Sequence, residues 1–189
     1  MFTFLVDNEI SIELLQQQHR AELYELIDIN REHLRQWLLW VDKRKCADDL
    51  QPIIKMWLEK YAENNGFDAG IRHNGNLVGM IGLHYIDWKN KSTSIGYFLA
   101  ENAQGKGIIT KSISNLMEYL FERLDLNRIE IQCAMNNVKS KAIPVRLGFI
   151  NEGVIREGQW LYDHYEDIVT YSLLKKDWED KRIVKKLSI

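Results

Sequence analysis

Residues Gly96 to Thr110 read Gly-Tyr-Phe-Leu-Ala-Glu-Asn-Ala-Gln-Gly-Lys-Gly-Ile-Ile-Thr, and this stretch decides how the rest of the chain is interpreted. A strand-like apolar run ends at Ala100, and a loop with two glycines, Gly105 and Gly107, opens directly into a predicted helix. The first N–H groups of a helix lack intrahelical acceptors and lie at the positive end of the helix dipole, so they bind anions. Glycine lets a phosphate approach the backbone closely. The stretch therefore predicts a phosphate-binding loop, with an ordinary tight turn as the alternative.

The loop matches neither of two common nucleotide-binding motifs. The third glycine of a Rossmann dinucleotide loop is missing, and the loop lies in the middle of the chain. The Gly-Lys-Ser/Thr ending of a Walker loop is missing as well. Neither of these two nucleotide-binding folds is therefore indicated.

Hydrophobic periodicity on both sides of this loop predicts a mixture of strands and helices. Asn74-Gly75, between two strand-like runs, is a strong hairpin signal. The predicted elements are a strand at 10–15, helices at 18–41 and from 48 or 49 to 64, strands at 67–73, 77–86 and 93–100, a helix at 107–124, a strand at 128–134, a short helix at 140–147 and a hairpin of 149–162 and 165–174. This order predicts a mixed sheet with helices packed on it.

Composition indicates one globular domain. The 189 residues are 46% apolar and 28% charged, and the formal net charge of −2 argues against nucleic acid as a partner. No apolar run approaches the roughly 20 residues of a membrane span, and the first residues lack the basic start of a signal peptide. Two cysteines in no metal-ligand spacing favour a cytoplasmic protein without a metal. We expect a domain at 1–178 and a basic tail at 179–189 that frays.

A second informative segment follows the next predicted strand. It reads Asn136-Asn137-Val138-Lys139-Ser140 and is followed by Leu147-Gly148-Phe149. Gln104-x-x-Gly107 resembles the Q/R-x-x-G-x-G/A pyrophosphate loop of the GNAT superfamily, and the second segment resembles the next GNAT motif. The resemblance implies an acetyl-CoA-dependent N-acetyltransferase of mixed α/β fold. Its sheet would be mostly antiparallel, flanked by about four helices, with parallel fourth and fifth strands that splay at the acetyl-CoA site.

The resemblance extends to the RimJ/RimL-like ribosomal-protein N-terminal acetyltransferases and covers about residues 10–178. It rests on the tryptophan-rich stretch 34–40, on the strand 95–99 and on the C-terminal hairpin. Three positions depart from this subgroup. Ile109 stands where the loop usually has Gly or Ala, Ser94 where many relatives carry Glu, and Tyr162-Asp163 where the last hairpin turn is usually Asn-Gly. We expect that turn to be remodelled.

Two catalytic residues are implied by the same resemblance. Glu101 matches the position of the proposed general base, which takes a proton from the acceptor ammonium. Ser140 matches the serine proposed to protonate the CoA thiolate. The alternatives are a solvated loop carboxylate for Glu101 and a helix N-cap for Ser140. Many GNAT enzymes place an acid tyrosine within the segment that corresponds to 137–149, and this chain has none there.

Cofactor and acceptor contacts are also implied by position. Backbone N–H groups of the loop would hold the pyrophosphate, a strand backbone would pair with the pantetheine amides, and an asparagine would bond the pantetheine arm. The implied cofactor residues are Phe98, Leu99, Gln104, Gly105, Lys106, Gly107, Ile108, Ile109, Thr110 and Asn137. Trp37, Trp40 and Trp160 are expected to wall the acceptor site, with core packing as the alternative for the first two.

The identity of the acceptor stays open at this point. The resemblance favours a protein N-terminus, and the alternative is a small amine such as a polyamine, an amino acid or an antibiotic. A non-catalytic acyl-CoA-binding module and a homo-oligomer also remain open. Neither Cys46 nor Cys133 occupies a motif position where a nucleophile is expected, so direct attack in a ternary complex is predicted.

Overall fold

Eight strands form one sheet in the computed structural model, which describes residues 3–187. They are β1 Thr3–Leu5, β2 Ile10–Leu14, β3 Asp68–His73, β4 Asn76–Asp87, β5 Ser92–Leu99, β6 Arg128–Ala134, β7 Ile150–Leu161 and β8 His164–Leu174. Their order across the sheet is β1-β2-β3-β4-β5-β6-β8-β7. Every neighbouring pair is antiparallel except β5 and β6. The predicted mixed, mostly antiparallel sheet is confirmed.

Six α-helices accompany the sheet within the described residues. They are α1 Arg20–Ile29, α2 Arg31–Arg35, α3 Gln51–Ala62, α4 Ile108–Glu118, α5 Val138–Leu147 and α6 Lys175–Leu187, with a π-helical turn, Tyr119–Arg123, directly after α4. The sequence predicts about four helices, and the difference comes from a break between α1 and α2 and from α6. Across residues 3–187, no helix combines the length and apolar character that a bilayer span requires.

The helix predicted at 18–41 is interrupted at Asn30, so its predicted extent is wrong. Asn30 has φ −103° and ψ 15°, and its side-chain Nδ2 donates to Leu26 O at 2.8 Å. A side-chain amide that bonds local backbone groups competes with helix continuation, which explains the break. Because α2 ends at Arg35, Trp37 and Trp40 lie in turns rather than on a helix face.

Two terminal elements, β1 and α6, are missing from the sequence prediction. β1 pairs antiparallel with β2 and extends the sheet by one strand. Helix α6 covers most of the segment that was expected to fray, and Lys181 Nζ donates to Gly148 O at 2.5 Å, which joins this helix to the end of α5. Residues 188–189 of the predicted tail lie outside the described residues.

The hydrophobic core lies between the sheet and the helices. Its fully buried side chains include Leu23, Ile27, Ile54, Ile71, Ile81, Leu83, Ile95, Ile113 and Phe121. Each such side chain contributes roughly 1.5–3 kcal/mol when it is removed from water. The strands that carry the site are therefore anchored by a packed interior.

The parallel pair of β5 and β6 is short. Its ladder covers three residue pairs, from Ser92↔Arg128 to Ser94↔Glu130. β5 stays paired with β4 as far as Leu99, and β6 stays paired with β8 over its whole length. No ladder pair joins the two strands further along among the described residues, so their carboxyl ends diverge. The predicted splay is confirmed, and it opens a cleft through the sheet.

The turn between β7 and β8 is remodelled, as its departure from Asn-Gly predicts. Asp163 N–H donates to Leu161 O at 2.8 Å, and Tyr162 has φ 58°. A bond between residues two apart around a positive φ is a strained turn for a residue with a side chain. Tertiary contacts hold it, because the Tyr162 hydroxyl donates to Leu38 O at 3.2 Å and the Arg35 guanidinium lies 4.7 Å from the Tyr162 ring centroid.

Candidate active site

The divergence of β5 and β6 produces a cleft of about 1650 Å³. One wall comes from β4, β5 and the segment after α2, and the other comes from β6 and α5. Of the residues predicted for the site, those that line this cleft are Trp37, Trp40, Phe98, Leu99, Glu101, Gln104, Gly105, Gly107, Ile108, Ile109, Thr110, Asn137 and Ser140. Two motifs far apart in sequence therefore meet in one place.

The glycine-rich loop has the backbone conformation that its composition suggests. Gly105 and Gly107 have φ 75° and 73°, in the left-handed region that favours glycine. A Cβ added at either position would meet no atom within 4 Å, so both face open space. Lys111 N–H is bonded to Gly107 O at 2.9 Å, which leaves the N–H groups of the preceding helical turn without an intrahelical acceptor. The loop thus presents backbone donors to the cleft.

Cationic side chains complement this loop even though the chain as a whole is slightly acidic. Lys139 and Arg146 line the cleft, and Arg146 Nη1 donates to Thr110 Oγ1 at 3.0 Å. Lys111 also lines the cleft, but its ammonium is paired with Asp7 Oδ2 at 2.7 Å. An anionic ligand gains from such a local concentration of positive charge. Lys106, predicted to take part, is exposed and lies outside the cleft lining.

Gln104 connects the two walls of the cleft. Its Nε2 donates to His33 Nε2 at 2.9 Å, and its Oε1 accepts from Lys139 Nζ at 2.7 Å. His33 belongs to α2 and Lys139 to α5, so one side chain of the loop spans the entrance. The sequence motif predicts Gln104 at the site but not these two partners.

Ser140 lies in the first turn of α5, and it is not the N-cap. Asn137 caps the helix, because its Oδ1 accepts from Ser140 N–H at 3.0 Å. The Ser140 hydroxyl is 3.2 Å from the Tyr97 hydroxyl and 3.2 Å from Cys133 Sγ. The capping alternative for Ser140 is therefore wrong, and its hydroxyl faces the cleft beside two groups that the motifs do not identify.

Glu101 follows the end of β5 at the mouth of the cleft. Its backbone N–H donates to Asn30 Oδ1 at 2.9 Å, so the asparagine that interrupts the first helix also fixes this loop. The Glu101 carboxylate is exposed and accessible from the cleft. A carboxylate at this position can contact the ammonium group of an acceptor as the acceptor enters the cleft.

Aromatic side chains form the wall opposite α5. Trp40 packs against Phe98 with ring centroids 5.7 Å apart, and Trp37 lies beside it in the cleft lining. Trp160 does not join them, contrary to the prediction. It is 46% exposed and packs edge-on against Tyr165, with centroids 4.8 Å apart. Its neighbour Gln159 lines the cleft instead, because successive strand residues point to opposite faces.

The floor on the aromatic side is polar, which the sequence does not predict. Asp68, Gly82 and Gly96 lie in register across β3, β4 and β5. A Cβ on Gly96 would approach His84 Nε2 to 2.3 Å, so the imidazole covers the glycine. The surrounding protein desolvates His84 and lowers its pKa, while burial raises the pKa of Asp68 despite an ion pair of 2.5 Å with Lys60.

The comparisons with known proteins agree with this geometry. The family model for the acetyltransferase (GNAT) domain matches residues 10–150. A Bacillus subtilis protein, YdaF, named for a proposed ribosomal N-acetyltransferase activity, is 42% identical over 96% of this chain and 100% of its own. The ribosomal-protein-serine acetyltransferase of Escherichia coli is 28% identical over 90% of this chain and 95% of its own.

A solved structure also matches. The microcin C7 self-immunity acetyltransferase MccE, in complex with acetyl-CoA and AMP, superposes with a TM-score of 0.86 at 28% identity, over 89% of this chain and 94% of the other. The same assignment follows from the family match, from the relatives and from the splayed sheet. This chain is an N-acetyltransferase that belongs to the GNAT family, in its RimJ/RimL-like subgroup.

Proposed function

We propose that this chain transfers the acetyl group of acetyl-CoA to the α-amine of a protein N-terminus, and that the acceptor is a ribosomal protein. The observation that carries the proposal is the cleft itself, which has backbone donors and cations on one side and an aromatic wall with a carboxylate at its mouth on the other. The names of the two relatives support a ribosomal acceptor.

Acetyl-CoA is assigned to the loop and the diverging strand. The N–H groups from Gly105 to Thr110 hold the pyrophosphate, with Lys139 and Arg146 in reach. The Phe98 and Leu99 backbone, unpaired on its β6 side, bonds the pantetheine amides as an added strand would. Asn137 keeps its Nδ2 available for the pantetheine arm, since its Oδ1 caps α5. The acetyl-CoA in the MccE complex supports the same ligand.

The reaction proceeds by direct attack. Glu101 takes one proton from the ammonium and releases it to solvent, and the neutral nitrogen attacks the thioester carbonyl carbon. The C–S bond breaks with its electron pair on sulfur, sulfur takes the Ser140 proton, and the second proton of the nitrogen restores Ser140. Burial raises the pKa of Cys133, which makes it a poor nucleophile, and Cys46 is exposed outside the cleft lining. An acetyl-enzyme is therefore not part of the proposal.

A screen of acceptors tests the proposed function. Acetyl transfer is measured with peptides that carry different first residues, with the same peptides blocked at the α-amine, and with spermidine and an aminoglycoside. We expect turnover with a subset of free peptides and none with their blocked forms. Turnover with spermidine or the aminoglycoside alone would replace the protein acceptor by a small amine.

Ser140→Ala is expected to reduce kcat about 10-fold, because the departing thiolate loses its proton donor. The melting temperature should stay near the wild-type value, since Asn137 and not Ser140 caps the helix. A thioester with a more acidic thiol should restore part of the rate. Ser114→Ala, at an exposed position of α4, serves as the control. An unchanged kcat in Ser140→Ala would remove Ser140 from the chemistry.

A further inference from the structure

The backbone carbonyl of Ser140 is released from its helix by a proline. In a helix this carbonyl would accept from the N–H of residue 144, and Pro144 has no N–H. A buried carbonyl that loses its helical partner requires another donor. Here the Tyr97 hydroxyl donates to Ser140 O at 3.1 Å. Pro144 therefore creates the acceptor that Tyr97 occupies.

This bond crosses the gap in the sheet. Tyr97 belongs to β5, and Ser140 belongs to α5, which follows β6. β5 and β6 have already lost their ladder at Ser94, so the Tyr97 hydroxyl ties the two walls together where the backbone does not. One side-chain hydrogen bond therefore joins the two walls at this depth.

The same hydroxyl also orients the Ser140 side chain. Tyr97 uses its hydrogen on Ser140 O, so its oxygen is available to accept the hydrogen of Ser140 Oγ at 3.2 Å. Cys133 Sγ, 3.2 Å from Ser140 Oγ, then acts as donor to the serine oxygen. Each of the three groups has its hydrogen directed at one acceptor, which gives Ser140 one preferred rotamer.

We propose that Tyr97 is a positioning residue for Ser140, which it holds at the place where the CoA sulfur departs. The inference rests on the proposed role of Ser140. In the resting site the Ser140 hydrogen points to Tyr97. A thiolate is a stronger acceptor than a neutral phenol oxygen, so the hydrogen turns to sulfur when the C–S bond breaks. The hydrogen bond from Tyr97 to Ser140 O keeps the serine in place while its hydroxyl rotates towards the sulfur.

Burial supports this role, because it raises the pKa of Tyr97 well above its usual range. The phenol therefore stays protonated and neutral at any pH at which the enzyme works. A neutral phenol can donate to the Ser140 carbonyl throughout the reaction, and this bond directs the Tyr97 hydrogen to that carbonyl.

Tyr97→Phe tests the inference, because it removes the hydroxyl and keeps the ring. Kinetics are measured with the best amine from the acceptor screen, and acetyl-CoA affinity by calorimetry. We expect kcat to fall about 10-fold with unchanged acetyl-CoA affinity, because the two hydrogen bonds between the Tyr97 hydroxyl and Ser140 are lost. The loss should shrink with a more acidic leaving thiol. Tyr85→Phe, whose hydroxyl lies outside the cleft lining, should match the wild type.

A double-mutant cycle separates positioning from structure. If Tyr97 acts through Ser140, adding Tyr97→Phe to Ser140→Ala lowers kcat no further. An equal loss in both backgrounds, with a lowered melting temperature, would make Tyr97 a structural residue and overturn the inference. If Ser140→Ala is slow and Tyr97→Phe is not, the inference fails and the role of Ser140 stands. If Ser140→Ala itself keeps full rate, the proposed role of Ser140 fails, and the inference fails with it.

Discussion

Gly107→Glu is expected to weaken acetyl-CoA binding by at least about 100-fold and to leave the chain folded. The glycine faces open space in the donor-rich loop, so the new side chain enters the region assigned to the pyrophosphate. It brings a negative charge to a ligand that is itself anionic, and it blocks charge-assisted hydrogen bonds worth roughly 1.5–3 kcal/mol each. Calorimetry gives the affinity, and circular dichroism checks the fold.

The substitution also has a backbone cost, which needs a matched control. Gly107 has φ 73°, and a residue with a Cβ in this region is strained by roughly 1–2 kcal/mol. Gly75, in the turn between β3 and β4, has φ 82° and also meets no atom within 4 Å. Gly75→Glu therefore adds the same strain and the same charge away from the cleft, and it should bind acetyl-CoA normally. Equal affinity in the two variants would place the cofactor elsewhere.

Glu101→Gln is expected to lower kcat about 100-fold at pH 7, because it keeps the shape of the side chain and removes its ability to take a proton. Acetyl-CoA affinity should be unchanged, since Glu101 lies at the acceptor mouth. The loss should shrink above pH 8, where an α-amine with a pKa of roughly 7.7–8.0 deprotonates without help. Initial rates from pH 6 to 9.5, at saturating acetyl-CoA, measure this dependence.

Glu63→Gln is the matched control for this experiment, because Glu63 is an exposed carboxylate at the end of α3 and outside the cleft lining. Its rate should equal that of the wild type at every pH. A Glu101→Gln variant as fast as the wild type at pH 7 would assign proton removal to another group or to solvent.

Local signals account for the elements that were predicted well. Asn74-Gly75 and the alternation on both sides predict strands at 67–73 and 77–86, and the structure has Asp68–His73 and Asn76–Asp87. Elements stabilised by distant contacts were missed. β1 has three residues and depends on pairing with β2, and the highly charged α6 depends on Trp178, which packs 5.2 Å from Phe121. Neither contact has a local signature.

The site residues also fall into two groups, those that local sequence predicts and those whose positions depend on distant contacts. The family resemblance predicts Gly107, Asn137 and Ser140 as site residues from short motifs of adjacent residues, and all three line the cleft. Tyr97 and His84 were not identified as site residues, since their places depend on sheet register and on a proline in another element. Gly96 illustrates this: the sequence places it inside a predicted strand without a reason for a glycine, and the structure shows that its missing side chain makes room for the His84 imidazole.

The three-pair ladder between β5 and β6 has a consequence for the abundance of the protein as well as for its chemistry. The sheet is continuous on both sides of this seam, and a pantetheine arm bonded along β5 would complete it there. A ligand that binds only the folded chain adds about 2.7 kcal/mol of stability at 100 times its Kd. Because free CoA carries the same arm, the total CoA of the cell, acetylated or not, would then influence how long each folded copy survives proteolysis.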